Sequence, residues 1–172
     1  MHVDCKYFGI RELIPPPEEL PERLRLAFNA DPDQLFRCFP WQFLVTLDRL
    51  RMLFGPAIVN NWTDFSDHTS APFRYSGYRP MTCRIGAALS EHRFCRAGDL
   101  KFTRVAPAEV WAFMASNPDH EAFRFIERLE AYRGMTWVHF DLGQHARAGK
   151  SIRVFTVANN RAGLPEYIAR AA

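Results

Sequence analysis

Apolar residues recur every three to four positions in several segments of the chain, which predicts amphipathic helices. The longest such segment runs from about Pro40 to Phe54, where Phe43, Leu47 and Leu50 share one face and Gly55-Pro56 ends the helix. Shorter helices are predicted from about Pro21 to Asn29, at 107–116, at 119–132 and near the C-terminus. The three prolines at 15–17 predict an extended segment before the first of these helices.

Short apolar runs and alternating patterns predict strands between these helices. They fall at 57–59, 75–79, 98–105, 136–142 and 151–158. The polar segment 60–72 is expected to be a loop, and GQHARAGK at 143–150 is expected to be a hairpin loop between the last two strands. Helices come first and strands and helices mix later, which favours an α+β fold over a regular βαβ array.

The chain of 172 residues is long enough for one domain with its own hydrophobic core, and 48% of its residues are hydrophobic. We expect a single domain over 1–172, with an extended and helical N-terminal lead at 1–39 and the core at 40–160. A formal charge of +3 is too small to indicate a nucleic-acid partner. No apolar run reaches the length of a membrane span, so we expect no membrane insertion.

The N-terminus lacks the apolar region of a secretory signal, which predicts synthesis in a bacterial cytoplasm and release by another route. The four cysteines form no CxxC pair and fit no zinc-finger spacing. Free buried thiols are favoured for them, although disulfides stay open.

Two stretches carry candidate metal ligands. SEHRFCRAGDL supplies His92 and Asp99, and TWVHFDL supplies His139 on a predicted strand. Strand periodicity places Trp137, His139 and Asp141 on one face, with Val138 and Phe140 on the core side. Two imidazoles and one carboxylate suit Zn²⁺ with one coordination position open, although this ligand set also suits other divalent ions.

Three motifs together resemble the M15 family of zinc D,D-peptidases. They are Ser76-Gly77-Tyr78-Arg79, then Ser90-x-His92 followed by Ala97-x-Asp99, and Trp137-x-His139-x-Asp141. Their order and rough separations match that family from about Phe43 to Val157. The resemblance implies the fold of D,D-peptidases and hedgehog-type domains, in which a small mixed or antiparallel sheet carries a metal cleft flanked by helices.

The resemblance also implies one Zn²⁺ per chain bound by His92, Asp99 and His139. Arg79 would lie in the cleft and act in catalysis and substrate binding, because a guanidinium pairs with a carboxylate or stabilises an oxyanion. Ser90 and Trp137 are the other expected substrate-binding residues. The expected partner is a peptidoglycan stem peptide with a D-alanine-type bond, cleaved by a phage-encoded lysis enzyme.

The chain departs from the family pattern at two positions. Cys95 stands at a glycine of the motif, and Thr136 stands where many relatives have a glutamate that acts as general base. Threonine cannot deprotonate water at neutral pH. The base would then be Asp141, a glutamate such as Glu127 or Glu130, or absent.

Two other functions are open on the sequence alone. The first is a non-catalytic phage virion, tail or assembly protein on the same fold, with a degenerate site and phage structural partners. The second is a cysteine hydrolase that uses Cys95 with His92, which is the weaker alternative because no third group orients the pair.

Overall fold

A six-stranded, mostly antiparallel sheet with helices against it forms the centre of the molecule, in agreement with the predicted α+β class. The computed structural model describes residues 5–61, 73–156 and 161–171. The helices are α1 (Ile10–Leu13), α2 (Glu22–Ala30), α3 (Trp41–Phe54) and α4 (Pro107–Ser116), with short 3₁₀ helices at Pro17–Glu19, Pro32–Cys38, Glu91–Phe94 and Glu121–Phe123. The strands are β1 (Ala57–Ile58), β2 (Ala97–Phe102), β3 (Arg128–Glu130), β4 (Val138–Asp141), β5 (Ser151–Phe155) and β6 (Tyr167–Ala169).

The strands lie in the order β1-β2-β4-β3-β5-β6. Neighbouring strands are antiparallel except β3 and β5, which are parallel. The order brings β2, β4 and β3 together in the middle of the sheet. Asp99 of β2 therefore faces His139 of β4, and His139 faces Glu130 of β3 on its other side.

One face of the sheet is apolar and packs on α3. Phe140 and Leu129 are paired across β4 and β3, and both are fully buried. Phe43 of α3 stacks on Phe140 with ring centroids 5.6 Å apart. Gly98 makes room for this contact, because a Cβ there would lie only 3.3 Å from the Phe43 ring. The alternation of strand side chains then directs Asp99, His139 and Glu130 to the opposite face.

The N-terminal lead packs into the same core. Phe8 and Leu13 are buried. The Tyr78 amide donates to the Leu13 carbonyl at 2.7 Å, and the Asn60 side-chain amide donates to the Glu12 carbonyl at 2.7 Å. The lead is thus bonded to the segment that carries the Ser76-Gly77-Tyr78-Arg79 motif.

The helices predicted at 21–29, 40–54 and 107–116 are confirmed within one residue at each end. The helix predicted at 119–132 is wrong, because this segment contains one 3₁₀ turn and then β3. Its apolar positions are buried as expected, but Leu129 is paired with Phe140 on one side and Val154 on the other. Pairing between two neighbouring strands overrides the helical periodicity.

Three further expectations need correction. The segment 143–150 is not a hairpin loop, because β3 lies between β4 and β5. The C-terminal segment forms β6 instead of a helix, since Ile168 is buried where it pairs with β5. Residues 75–79 form bends and no strand, and their backbone groups bond to separate partners. The loop expected at 60–72 and the end of the strand expected at 151–158 lie largely outside the described residues.

None of the helices in the described residues is long and apolar enough to cross a membrane.

Candidate metal centre

His92, Asp99 and His139 come together on the polar face of the sheet, as the sequence predicted. His92 lies in the 3₁₀ helix Glu91–Phe94, Asp99 in the middle of β2 and His139 in β4. All three residues are buried, with exposed fractions of 1%, 8% and 7%. They form a group of donors that could hold a metal ion.

Three donor atoms form a small triangle. The His139 Nδ1 lies 2.7 Å from Asp99 Oδ1 and 3.3 Å from His92 Nε2. The third edge, from His92 Nε2 to Asp99 Oδ1, measures 3.4 Å. Tetrahedral ligands about 2.0–2.1 Å from a zinc ion are about 3.3 Å apart, so two edges already fit such an ion. The edge of 2.7 Å is shorter because it is a hydrogen bond between Asp99 and His139.

The orientation of His92 is fixed from behind by the Ser76-Gly77-Tyr78-Arg79 segment. Its Nδ1 donates to the Gly77 carbonyl at 2.8 Å, which leaves Nε2 unprotonated and directed at the other two residues. A metal-binding histidine commonly donates its second nitrogen in this way. The glycine at 77 is required by a close approach, since a Cβ there would lie 2.2 Å from the Leu13 carbonyl oxygen.

Asp141 holds His139 in the same manner. Its Oδ2 lies 3.3 Å from His139 Nε2, the ring nitrogen that does not face Asp99. Its Oδ1 accepts hydrogen bonds from Arg128 Nε at 2.7 Å and from the Gly143 amide at 2.7 Å. Asp141 is 1% exposed, and its pKa is lowered because hydrogen bonds from His139 and Arg128 outweigh the effect of burial. Asp141 therefore lies behind His139, on the side away from Asp99.

Asp99 is held by Arg79 and by the backbone. Its Oδ2 accepts from Arg79 Nη2 at 2.9 Å, and its amide donates to the Ser76 carbonyl at 2.8 Å. Burial alone would raise the pKa of Asp99, but the charges and hydrogen bonds of His92 and His139 hold it well below its usual range. Asp99 is thus an anion that contacts both histidines.

The two histidines differ in protonation. Burial lowers the pKa of His92, which agrees with a neutral ring whose Nε2 accepts. Burial also disfavours the charged form of His139, but hydrogen bonds to Asp141 and Asp99 outweigh it and raise the pKa to about 9. Both nitrogens of His139 face carboxylate oxygens, so both carry protons at neutral pH. In the metal-free protein, a proton of His139 occupies the short edge of the triangle.

Of the predicted substrate-binding residues, Arg79 contacts this group directly through Asp99. Arg79 packs against Gly86, where a Cβ would lie 2.7 Å from Nη1 and 3.9 Å from Ser90 Oγ. Ser90 therefore lies beside the guanidinium. Trp137 is half-buried and meets Tyr132 edge to face, with ring centroids 6.2 Å apart.

Glu130 is the carboxylate beside His139 on the neighbouring strand β3. As the cross-strand neighbour of His139, it presents its side chain on the same sheet face, with Cβ atoms about 5 Å apart in such pairs. Its pKa is raised, chiefly by burial and further by the charges of Asp99 and Asp141. Within the described residues its carboxylate has no hydrogen-bond or ion-pair partner. Glu127, in contrast, accepts from the Gly149 amide and contacts His145 and Arg170.

The two departures from the family pattern have clear structural positions. Cys95 adopts a left-handed backbone with φ of 58°, which is where a glycine would be free of strain. Its thiol is buried in the hydrophobic core, which raises the pKa to about 12, so it is a poor nucleophile. Thr136 is exposed before the start of β4.

Sequence reasoning missed two residues that contact this centre, Arg128 and Glu91. The helical pattern at 119–132 gives no sign of the role of Arg128, and no motif marks Glu91 beside His92. The strand register alone would have indicated Arg128, because it is the cross-strand neighbour of Asp141.

No family model matches this chain, and comparison with curated proteins and with solved structures gives no match. The resemblance to M15 peptidases therefore stays a prediction.

Proposed function

We propose that this chain is a metal-dependent hydrolase of the M15 type that binds one Zn²⁺ and cleaves D-alanine-type amide bonds in peptidoglycan. The observation that carries the proposal is the triangle of His92 Nε2, Asp99 Oδ1 and His139 Nδ1, with edges of 2.7–3.4 Å. Its three residues are the three that the motifs of the family designate. A divalent ion held there would supply Lewis acidity to a scissile carbonyl.

Glu130 is the general base in this proposal. It lies on the same sheet face as the ligands, and its carboxylate is free to accept a proton from the attacking water. The raised pKa of this carboxyl brings it closer to neutral pH, as a general base requires. Asp141 is less suitable, because its two oxygens already bind His139, Arg128 and the Gly143 amide.

Arg79 would act on the substrate side. Its Nη2 is paired with Asp99, whereas Nη1 faces Gly86 and lies near Ser90. A guanidinium in this position could pair with the carboxylate of a stem peptide or stabilise an oxyanion. The edge-to-face pair of Tyr132 and Trp137 would supply an apolar wall for the peptide side chain.

A second function, a non-catalytic phage virion or assembly protein, is favoured by a different observation. Each carboxylate of the site has a cationic partner without an ion, since Asp99 pairs with Arg79 and His139, and Asp141 pairs with Arg128. Such a cluster could serve as a purely structural ion-pair network. The exposed Thr136, at the position of the base in relatives, agrees with this alternative.

The two functions are separated by measuring bound zinc and D-alanine or free-amine release from purified cell walls. The hydrolase requires about one zinc per chain and release that disappears in His139→Ala but persists in His120→Ala, a histidine exposed at the surface. Bound zinc without release from any wall type would leave the non-catalytic function. Absence of zinc binding even at excess metal would overturn the ligand assignment.

A further inference from the structure

Arg128 bridges the two elements that carry the histidine ligands. Its Nε donates to Asp141 Oδ1 at 2.7 Å, and Asp141 in turn holds His139. Its Nη2 lies 3.4 Å from Oε1 of Glu91, the residue next to His92 in the 3₁₀ helix. The guanidinium thus connects β4 with the 3₁₀ helix on the side of the site away from Asp99.

The bridge is partly buried, with 25% of the Arg128 side chain and 12% of the Glu91 side chain exposed. A Cβ on Gly143 would lie 2.6 Å from Arg128 Nη2 and 2.7 Å from Glu91 Oε1, so a larger residue there would displace the ends of both side chains. The other Glu91 oxygen accepts from Arg96 Nε at 2.8 Å, which fixes the carboxylate. The Phe155 ring packs against both His139 and Arg128. Its centroid lies 5.8 Å from that of the His139 ring, edge to face, and 5.6 Å from the Arg128 guanidinium.

We propose that Arg128 is a positioning residue of the metal centre: by holding Asp141 and Glu91 together it sets the separation and orientation of His139 and His92. This inference rests on the metal site proposed above. Arg128 touches neither the ligand nitrogens nor the expected substrate position, so it acts through Asp141 and Glu91. Groups that orient metal ligands in this way commonly change metal affinity 10- to 100-fold when they are removed.

The sign of the effect distinguishes positioning from simple electrostatics. Arg128 is a cation near a cation site, so its charge alone weakens metal binding, and neutralising it would strengthen binding. Loss of positioning has the opposite effect. We therefore expect Arg128→Met to bind zinc about 10- to 100-fold more weakly than the wild-type protein.

The test measures zinc affinity by competition with a chromophoric chelator, together with the visible spectrum of the Co²⁺-loaded protein. Arg153→Met is the matched control, because Arg153 is the neighbour of Arg128 on β5. The substitution removes the same charge from a residue that does not bond to Asp141 or Glu91. We expect Arg128→Met to weaken zinc binding and alter the Co²⁺ spectrum, Arg128→Lys to recover part of the affinity, and Arg153→Met to leave both unchanged. If Arg128→Met does not fold, Arg128→Lys takes its place, because it keeps the charge but not the two-armed geometry and should still bind zinc more weakly than the wild-type protein.

A wild-type protein that binds no zinc would overturn the metal site itself. Wild-type binding combined with equal or tighter binding in the folded Arg128→Met protein, or in Arg128→Lys where only that variant folds, would overturn the positioning role and leave the metal site in place. A similar loss in Arg153→Met would also overturn it, because the effect would then not depend on the bridge.

Discussion

Asp99 and His139 are direct neighbours across β2 and β4, and Asp99 Oδ1 lies 2.7 Å from His139 Nδ1. The same two atoms are the donors that a metal ion would use. They are joined by a hydrogen bond, which together with the hydrogen bond to Asp141 outweighs burial and raises the pKa of His139 to about 9. Metal binding and protonation of His139 therefore compete for one position.

This competition predicts that zinc binding at pH 7 releases about one proton per chain, because His139 is protonated before binding and must be neutral afterwards. The apparent affinity should rise about tenfold per pH unit below pH 9. Calorimetric titrations in two buffers of different ionisation enthalpy measure the release. A value near zero would show that His139 is already neutral or is not a ligand.

The stability of the metal-free protein should fall as the pH rises from about 6.5 towards 9. The folded-state pKa of His139 is raised to about 9 from an ordinary value of 6.5, so its protonation stabilises the fold fully below pH 6.5 and is lost as the pH approaches 9. The change amounts to about 3 kcal/mol. Urea denaturation of chelator-treated protein at several pH values measures it, and saturating zinc should reduce the slope.

If Glu130 is the base as proposed, Glu130→Gln should lower kcat by about two to four orders of magnitude with little change in zinc content, because Glu130 is not one of the candidate metal ligands. Asp141→Asn is the contrasting variant, since it weakens the support of His139 and should act mainly on zinc affinity. The two assays together assign the roles. Full turnover in Glu130→Gln would mean that the general base is Asp141 or another group.

Gly77→Ala should destabilise the protein by more than about 2 kcal/mol and weaken zinc binding. The new Cβ would collide with the Leu13 carbonyl, whereas the Gly77 carbonyl accepts the hydrogen bond that orients His92. Thermal denaturation and zinc titration measure the two effects. Gly9→Ala is the control, because its Cβ would meet nothing closer than 3.8 Å.

Cys95→Gly should be more stable than Cys95→Ala by about 1 kcal/mol, although glycine is usually the less stable residue of the pair. Both variants lose the buried thiol, but only glycine relieves the left-handed backbone at φ of 58°. At Ala97 of β2, replacement by glycine should be destabilising as usual. Chemical denaturation of the three variants decides whether the backbone at position 95 is strained.

The sequence by itself determined the local parts of this site. Alternation in 136–142 correctly separates Val138 and Phe140, which are buried in the core, from His139 and Asp141 on the polar face. The long amphipathic helix is also local information, because its apolar face and its Gly55 stop lie within one segment. These features depend on contacts between residues a few positions apart.

Tertiary structure alone decided which strands are neighbours. The segment that contains Arg128 and Glu130 has a helical pattern, yet it forms β3 because β4 and β5 on either side pair with it. Only this insertion brings Glu130 next to His139 and Arg128 next to Asp141. Pairing energy of this kind comes from residues far apart in the chain, so the periodicity of one segment cannot reveal it. The candidate ligands could therefore be named from sequence, and Glu130 could be named among the candidate bases, whereas the place of Glu130 beside His139 and the bridging position of Arg128 required the fold.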